Sequence, residues 1–72
     1  MDEEFTPVES SNIESFRYLE DKKELQIRFL SGGLYAYEEV SGDTFSAFLG
    51  APSKGRFVAQ NLKGQFVTRR LE

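Results

Sequence analysis

Between Glu24 and Leu30 the chain reads ELQIRFL, a strict alternation that sets Leu25, Ile27 and Phe29 on one side of an extended strand and Gln26 and Arg28 on the other. A helix would scatter these residues around its axis, so this stretch restricts the chain to folds built on a half-buried sheet. Ser31-Gly32-Gly33 follows at once and is a turn signal, because glycine enters positive φ without steric cost. Beyond it, Tyr35 and Tyr37 restore the spacing of two and predict a strand from Leu34 to Val40. Upstream, IESFRYL from Ile13 to Leu19 alternates Phe16 and Tyr18 with Ser15 and Arg17. Three strands joined by short links predict an antiparallel meander. One face would carry Phe16, Tyr18, Leu25, Ile27, Phe29, Tyr35 and Tyr37. The other would be a small open platform of Arg17, Gln26, Arg28 and Ala36.

After Val40 the period changes. Ser41 is a helix cap, Asp43 suits the positive start of a helix, and Phe45, Phe48 and Leu49 recur at helical spacing until Gly50-Ala51-Pro52 ends it. Ser53 opens a second short helix with Phe57, Val58 and Leu62 as its apolar stripe and Gly64 as its stop. The tail from Gln65 has room for a short extra strand anchored by Phe66. Two helices cover one face of a sheet, and the aromatic face is the one that needs cover.

A chain of 72 residues buries only about 60% of the surface its unfolded form exposes, so its core must be dense. Seven Phe and three Tyr supply that density without cysteine staples. The absence of Cys and His excludes disulfides, thiolate or imidazole metal sites, and the usual neutral-pH general base. Glu38 and Glu39 are adjacent on a strand, while Glu20 and Asp21 lie in a turn, so neither pair reads as an acid/base couple. No enzyme activity, cofactor or metal is expected. The acidic start, with Asp2, Glu3, Glu4 and Glu9 in the first ten residues, is unlike a basic and apolar signal peptide, and a cytoplasmic protein is expected.

The net charge of -3 is unevenly distributed. From Ser53 onward Lys54, Arg56, Lys63, Arg69 and Arg70 face only Glu72. Such a patch either contacts a phosphate backbone, extended by Arg17 and Arg28, or is a solvated face. GAPSKG, residues 50–55, fails as a Walker loop because Arg56 and Phe57 stand where Lys and Ser or Thr are required. A weaker site remains open, with Ser53, Lys54, Gly55 and Arg56 admitting an anion at a helix start. Its alternative is a plain cap with a solvated lysine. For Tyr35 and Tyr37 the two readings are a base-stacking platform and core packing with the hydroxyls at the rim; the in-phase aliphatics favour the core.

The residues Ser11-Asn12-Ile13, Tyr18, Leu25-x-Ile27-x-Phe29, Gly32-Gly33-x-Tyr35-x-Tyr37-x-x-Val40, Phe45 and APSKGRF from Ala51 to Phe57 resemble the KTSC domain. This short module is found at the C-terminus of some lysyl-tRNA synthetases and as a stand-alone bacterial protein. The resemblance covers Ser10 to about Phe66 and implies an RNA-binding role suggested by the synthetase context, with tRNA or single-stranded RNA as partner. Three positions depart from the pattern: Ser41 stands for a proline, Ala59 for an asparagine and Phe66 for a tyrosine.

The expectation is therefore an α+β domain, a three-stranded antiparallel meander followed by two short helices on one face and room for a C-terminal strand. Residues 1–10 are expected as a flexible acidic lead-in, 11–67 as the single domain and 68–72 as a tail. Its function is expected to be weak RNA binding through the basic residues. The rival is a protein or peptide module using a sheet edge or the open face.

Overall fold

The computed structural model describes residues 5–72. Its centre is an antiparallel sheet of five strands in sequential order: β1 (Thr6–Pro7), β2 (Ile13–Leu19), β3 (Glu24–Phe29), β4 (Leu34–Tyr37) and β5 (Thr68–Arg70). Helix α1 (Gly42–Gly50), helix α2 (Lys54–Phe57) and a π-helical turn (Val58–Leu62) lie between β4 and β5. The predicted meander is present as β2-β3-β4, and each of its edges gains a strand. Thr6–Pro7, inside the expected lead-in, pairs with β2, and the C-terminal strand for which the tail had room forms at Thr68–Arg70 and pairs with β4. Pro7 fits an edge because it has no N–H to give to a ladder. The acidic cluster Asp2, Glu3 and Glu4 lies outside the described residues.

Register settles the faces. Phe16, Ile27 and Tyr35 align across three strands, as do Tyr18, Leu25 and Tyr37. All six therefore point to one side, which the alternation predicted. A bulge between Ile13 and Ser15 inserts Glu14 into β2, and the extra residue returns Ile13 to the core face while Ser15 stays on the other. Ile13, Leu25, Ile27, Val40, Phe48 and Leu62 are fully buried. Aromatic rings bind the helices to the sheet: Phe48 meets Phe16 edge-on at 5.1 Å, and Phe45 stacks on Tyr18 at 4.2 Å with 13° between planes.

Both helix starts carry the expected cap. Ser41 Oγ accepts from Thr44 N–H at 3.2 Å, and Ser53 Oγ accepts from Arg56 N–H at 3.3 Å. The second helix is shorter than predicted, four residues of α-helix passing into the π turn, with Gly64 at φ 79° after it. The third strand is shorter too, ending at Tyr37 rather than Val40. Glu39 adopts φ 59°, which turns the chain off the ladder, buries Val40 and lets its N–H donate to Lys23 O at 2.7 Å. Glu38 and Glu39 are thus not neighbours on one strand. Tyr18 locks the same corner by donating its hydroxyl to Val40 O at 2.5 Å.

The platform expected on the second face is not open. Ala36 is fully buried, and Gln26 and Ser15 are 4% and 7% exposed. What covers them is a roof of long charged side chains and the ring of Phe5.

Candidate functional site

Sorting the basic side chains by face divides the expected RNA-binding set. Arg17, Arg28 and Arg69 lie on the helix-free face and are engaged there. Arg17 Nε donates to Gln26 Oε1 at 2.8 Å, Gln26 Nε2 to Glu24 Oε2 at 2.5 Å, and Arg69 Nη2 to Glu24 Oε1 at 2.9 Å. Arg69 Nε also donates to Glu38. This chain of contacts crosses β2, β3, β4 and β5. The Glu38 hydrogen bond first, and then the charge of Glu24, hold the Arg69 guanidinium above its already high pKa. Arg28 pairs with Glu72 at 3.0 Å. The ring of Phe5 sits 4.8 Å from the Arg17 guanidinium and 5.3 Å from that of Arg28, close enough for cation–π attraction to both.

The segment Ser53–Arg56 does not form one anion cradle. The Ser53 hydroxyl is spent as a cap on a helix of four residues. Lys54 lies over the Phe48 ring at 6.0 Å and borders a shallow pocket beside β1. Gly55 faces the opposite way, against the loop that precedes β2. A methyl group at Gly55 would stand 3.3 Å from Asn12 Nδ2 and 3.4 Å from Ser10 Oγ, so glycine sets how closely α2 approaches that loop. Ser10 holds the loop in shape by accepting from the N–H groups of Asn12 and Ile13 at 3.1 and 3.2 Å.

On this side of α2 the structure opens a cleft of about 640 Å³. Phe29, Tyr35 and Tyr37 supply aromatic floor, and Val58 and Ala59 of the π turn form a wall. Asn12, Ser31, Lys63 and Thr68 bring polar groups to the lining, in which Lys63 is the one charged residue among those described. Tyr35 meets Phe29 edge-on at 5.7 Å, and the Arg70 guanidinium lies 5.6 Å from the Tyr35 ring. The Tyr35 ring also covers Gly33, where an added methyl would come within 2.6 Å of Tyr35 Cε1. Both central tyrosines therefore sit on the helix side, as the phase of the strands predicted, with Tyr37 buried and Tyr35 half-buried. Burial, and then the neighbouring Tyr35, push the Tyr37 hydroxyl above the usual pKa of a phenol.

Of the nine expected contact residues, the cleft brings together Gly55 and Lys63, with Arg70 joined through Tyr35. Arg56 is exposed on α2 and, like Lys63, has no ion-pair partner among the described residues. The part of Phe5 as cover for Arg17 and Arg28 escaped the sequence reading, because the segment that carries it was expected to be a loose lead-in. A period-two pattern too short to measure, Phe5-Thr6-Pro7, was its only trace. Ala59, where the family pattern favours asparagine, lines the cleft. Phe66 packs against the core from the turn before β5.

The KTSC domain model matches residues 9–66. A protein from Tsukamurella paurometabola is 43% identical over 60 residues, covering 83% of this chain and 90% of that protein. An uncharacterized protein from Stutzerimonas stutzeri is 38% identical over 58 residues, with 81% and 82% covered. Among solved structures, the crystal structure of a KTSC domain protein from Yersinia pestis superposes with a TM-score of 0.91 at 38% identity, over 96% of this chain and 97% of that one. The chain belongs to the KTSC domain family.

Proposed function

We propose that this domain is a non-catalytic module that binds single-stranded RNA weakly in the cytoplasm, seating it at the cleft beneath the π turn. The observation that carries the reading is the chemistry of the lining: among the described residues it holds aromatic rings, neutral polar groups and one cation, Lys63, with no carboxylate. Arg70 adds a second positive group at the Tyr35 ring. A base has a π face to set against Tyr35 or Phe29, and its phosphates meet Lys63 and Arg70. Arg17, Arg28 and Arg69 play no part in this binding, because carboxylates and Phe5 already occupy them.

Amide and side-chain NMR titration with a single-stranded oligonucleotide and with tRNA, at two salt concentrations, tests this. Saturable shifts are expected at Asn12, Tyr35, Lys63 and Arg70. With two or three phosphates neutralised, log K should fall with log salt at a slope of roughly 2. The double variant Lys63→Ala, Arg70→Ala should abolish the shifts and leave the remaining spectrum folded. Shifts confined to the Arg17 and Arg28 face, or none, would overturn the reading.

A further inference from the structure

The outer edge of β5 borders the cleft through Thr68 and adds to it a row of backbone groups. Leu71 N–H donates to Leu34 O at 2.7 Å, and Glu38 N–H donates to Val67 O at 2.9 Å. Antiparallel alternation therefore turns the backbone groups of Val67, Arg69 and Leu71 toward β4 and those of Thr68 and Arg70 outward. β5 is the last strand of the sheet, so these outward groups face no neighbouring strand. Alternate side chains divide in the same way. Arg69 aligns with Ala36, which places Val67, Arg69 and Leu71 on the roofed face, whereas Thr68 and Arg70 align with Tyr37 and Tyr35 on the helix side. Val67 is 65% exposed and Leu71 38%. These are two of the exposed large apolar side chains of the described chain, and they flank one edge strand.

We propose that β5 is a docking edge for an extended acidic peptide, added antiparallel as a sixth strand. Charge complementarity selects this occupant. Arg70 points to the helix side, where its Nε donates to Glu72 O at 2.9 Å and no Asp or Glu side chain among the described residues pairs with it, so its uncompensated charge makes acidic residues the match opposite Thr68 and Arg70. Those opposite Val67, Arg69 and Leu71 are apolar and cover Val67 and Leu71. A second copy of this chain is a poor occupant. Antiparallel self-pairing centred on β5 would set the two Arg69 side chains beside each other, and like charges in facing positions are destabilising. Edge pairing with alternate side-chain selection is a general mode of peptide recognition.

The probe is an acetylated heptapeptide of alternating valine and glutamate, titrated into the 15N-labelled domain. Saturable shifts are expected at the Thr68 and Arg70 amides. N-methylating the glutamates removes the N–H groups that face β5 and should weaken binding about tenfold, whereas N-methylating the valines should change it less than about twofold. Replacing glutamate by lysine should also weaken it about tenfold, and Arg70→Glu should reverse that preference. The proposal is overturned by equal binding of the two methylated peptides, by equal binding of the lysine peptide, or by shifts at Asn12 and Lys63 in place of Thr68 and Arg70. Absence of any saturable shift, or self-association of the domain without peptide, overturns it as well.

Discussion

The two faces of this sheet reach the same degree of burial by opposite means. On the helix side Leu25 and Ile27 are fully buried under Phe45, Phe48, Val58 and Leu62. On the other side Ala36 is equally buried, yet no helix is there. Its cover is the Arg17, Gln26, Glu24, Arg69 and Glu38 chain, with Phe5 over two guanidinium groups. Long charged side chains lay their aliphatic stems on apolar surface while their heads pair above it. A sheet face rich in arginine is thus not automatically a nucleic-acid platform. Here the arginines roof the sheet, and the cations left for a ligand lie on the helix side.

Substitutions should separate the two kinds of cover. The largest effect is expected for Phe48→Ala, which empties the centre of the ring cluster and should cost about 3–5 kcal/mol in urea unfolding. A loss under 1 kcal/mol would mean that the helices carry little of the core. Tyr18→Phe keeps the stack on Phe45 but deletes the hydrogen bond to Val40 O, leaving that carbonyl short of a partner, at a cost of about 1 kcal/mol. On the roofed face, Arg69→Met keeps most of the stem and removes the charge, so its cost should be smaller than that of Tyr18→Phe. The same substitution should also reduce the salt dependence of stability by the share that the Arg69 pairs with Glu24 and Glu38 confer, leaving that of Arg28 with Glu72. If Arg69→Met instead costs as much as Phe48→Ala, ion pairing and not coverage holds that face.

The smallest effect at neutral pH is expected for Tyr37→Phe, and its value lies in the alkaline range. A phenol whose pKa is raised by folding holds its proton more tightly in the folded state. It contributes stability that is complete below the unfolded value, about 10, and lost as pH rises from there through the folded value. Burial raises Tyr37, and Tyr18 is raised by burial first and by Glu20 second. Stability measured above pH about 10 should therefore fall in the parent domain. It should fall less steeply in Tyr37→Phe, and identical alkaline profiles would remove Tyr37 from this account.

How much could be read without coordinates depended on whether a local pattern was sufficient. Period-two alternation placed β2, β3 and the start of β4 on the correct faces, and Ser41 and Ser53 marked both helix starts, because each signal acts within a few residues. Val40 misled. Its spacing from Tyr35 and Tyr37 continues a strand pattern less well than its apolar nature suggests, and only the positive φ of Glu39 shows that it reaches the core after the strand has ended. The edges β1 and β5 are two and three residues long. They exist by pairing with strands already formed, so the tail showed room for β5 without its bounds, and β1 was not registered at all. The candidate site suffered most, since grouping cations by proximity in sequence joined Arg69 with Arg70 and Lys54 with Arg56. A strand sends neighbours to opposite faces, and α2 likewise turns Lys54 and Gly55 toward different surfaces. Of the motif that identifies the family, Tyr35 and Tyr37 belong mainly to the core, and their exposed edges give the cleft its aromatic character.

The fifth strand also has a kinetic meaning. The chain leaves the sheet after Tyr37 and returns beside it at Thr68, having made both helices in between. The β2-β3-β4 meander closes over short turns and needs no contribution from the tail, whereas β5 must wait for a far longer loop to close. Nucleation therefore belongs to the meander and docking of the tail to a late step. Reversal of that step is a sub-global opening that frees Thr68 to Arg70 while the central strands stay paired. In native-state hydrogen exchange the amides of Arg69 and Leu71 should give up their protons well before those of Gln26 and Ile27. Thr68 at the border of the cleft and the outer edge of β5 are thus assembled last and surrendered first, and any ligand that holds β5 in place slows exchange there without tightening the rest of the molecule.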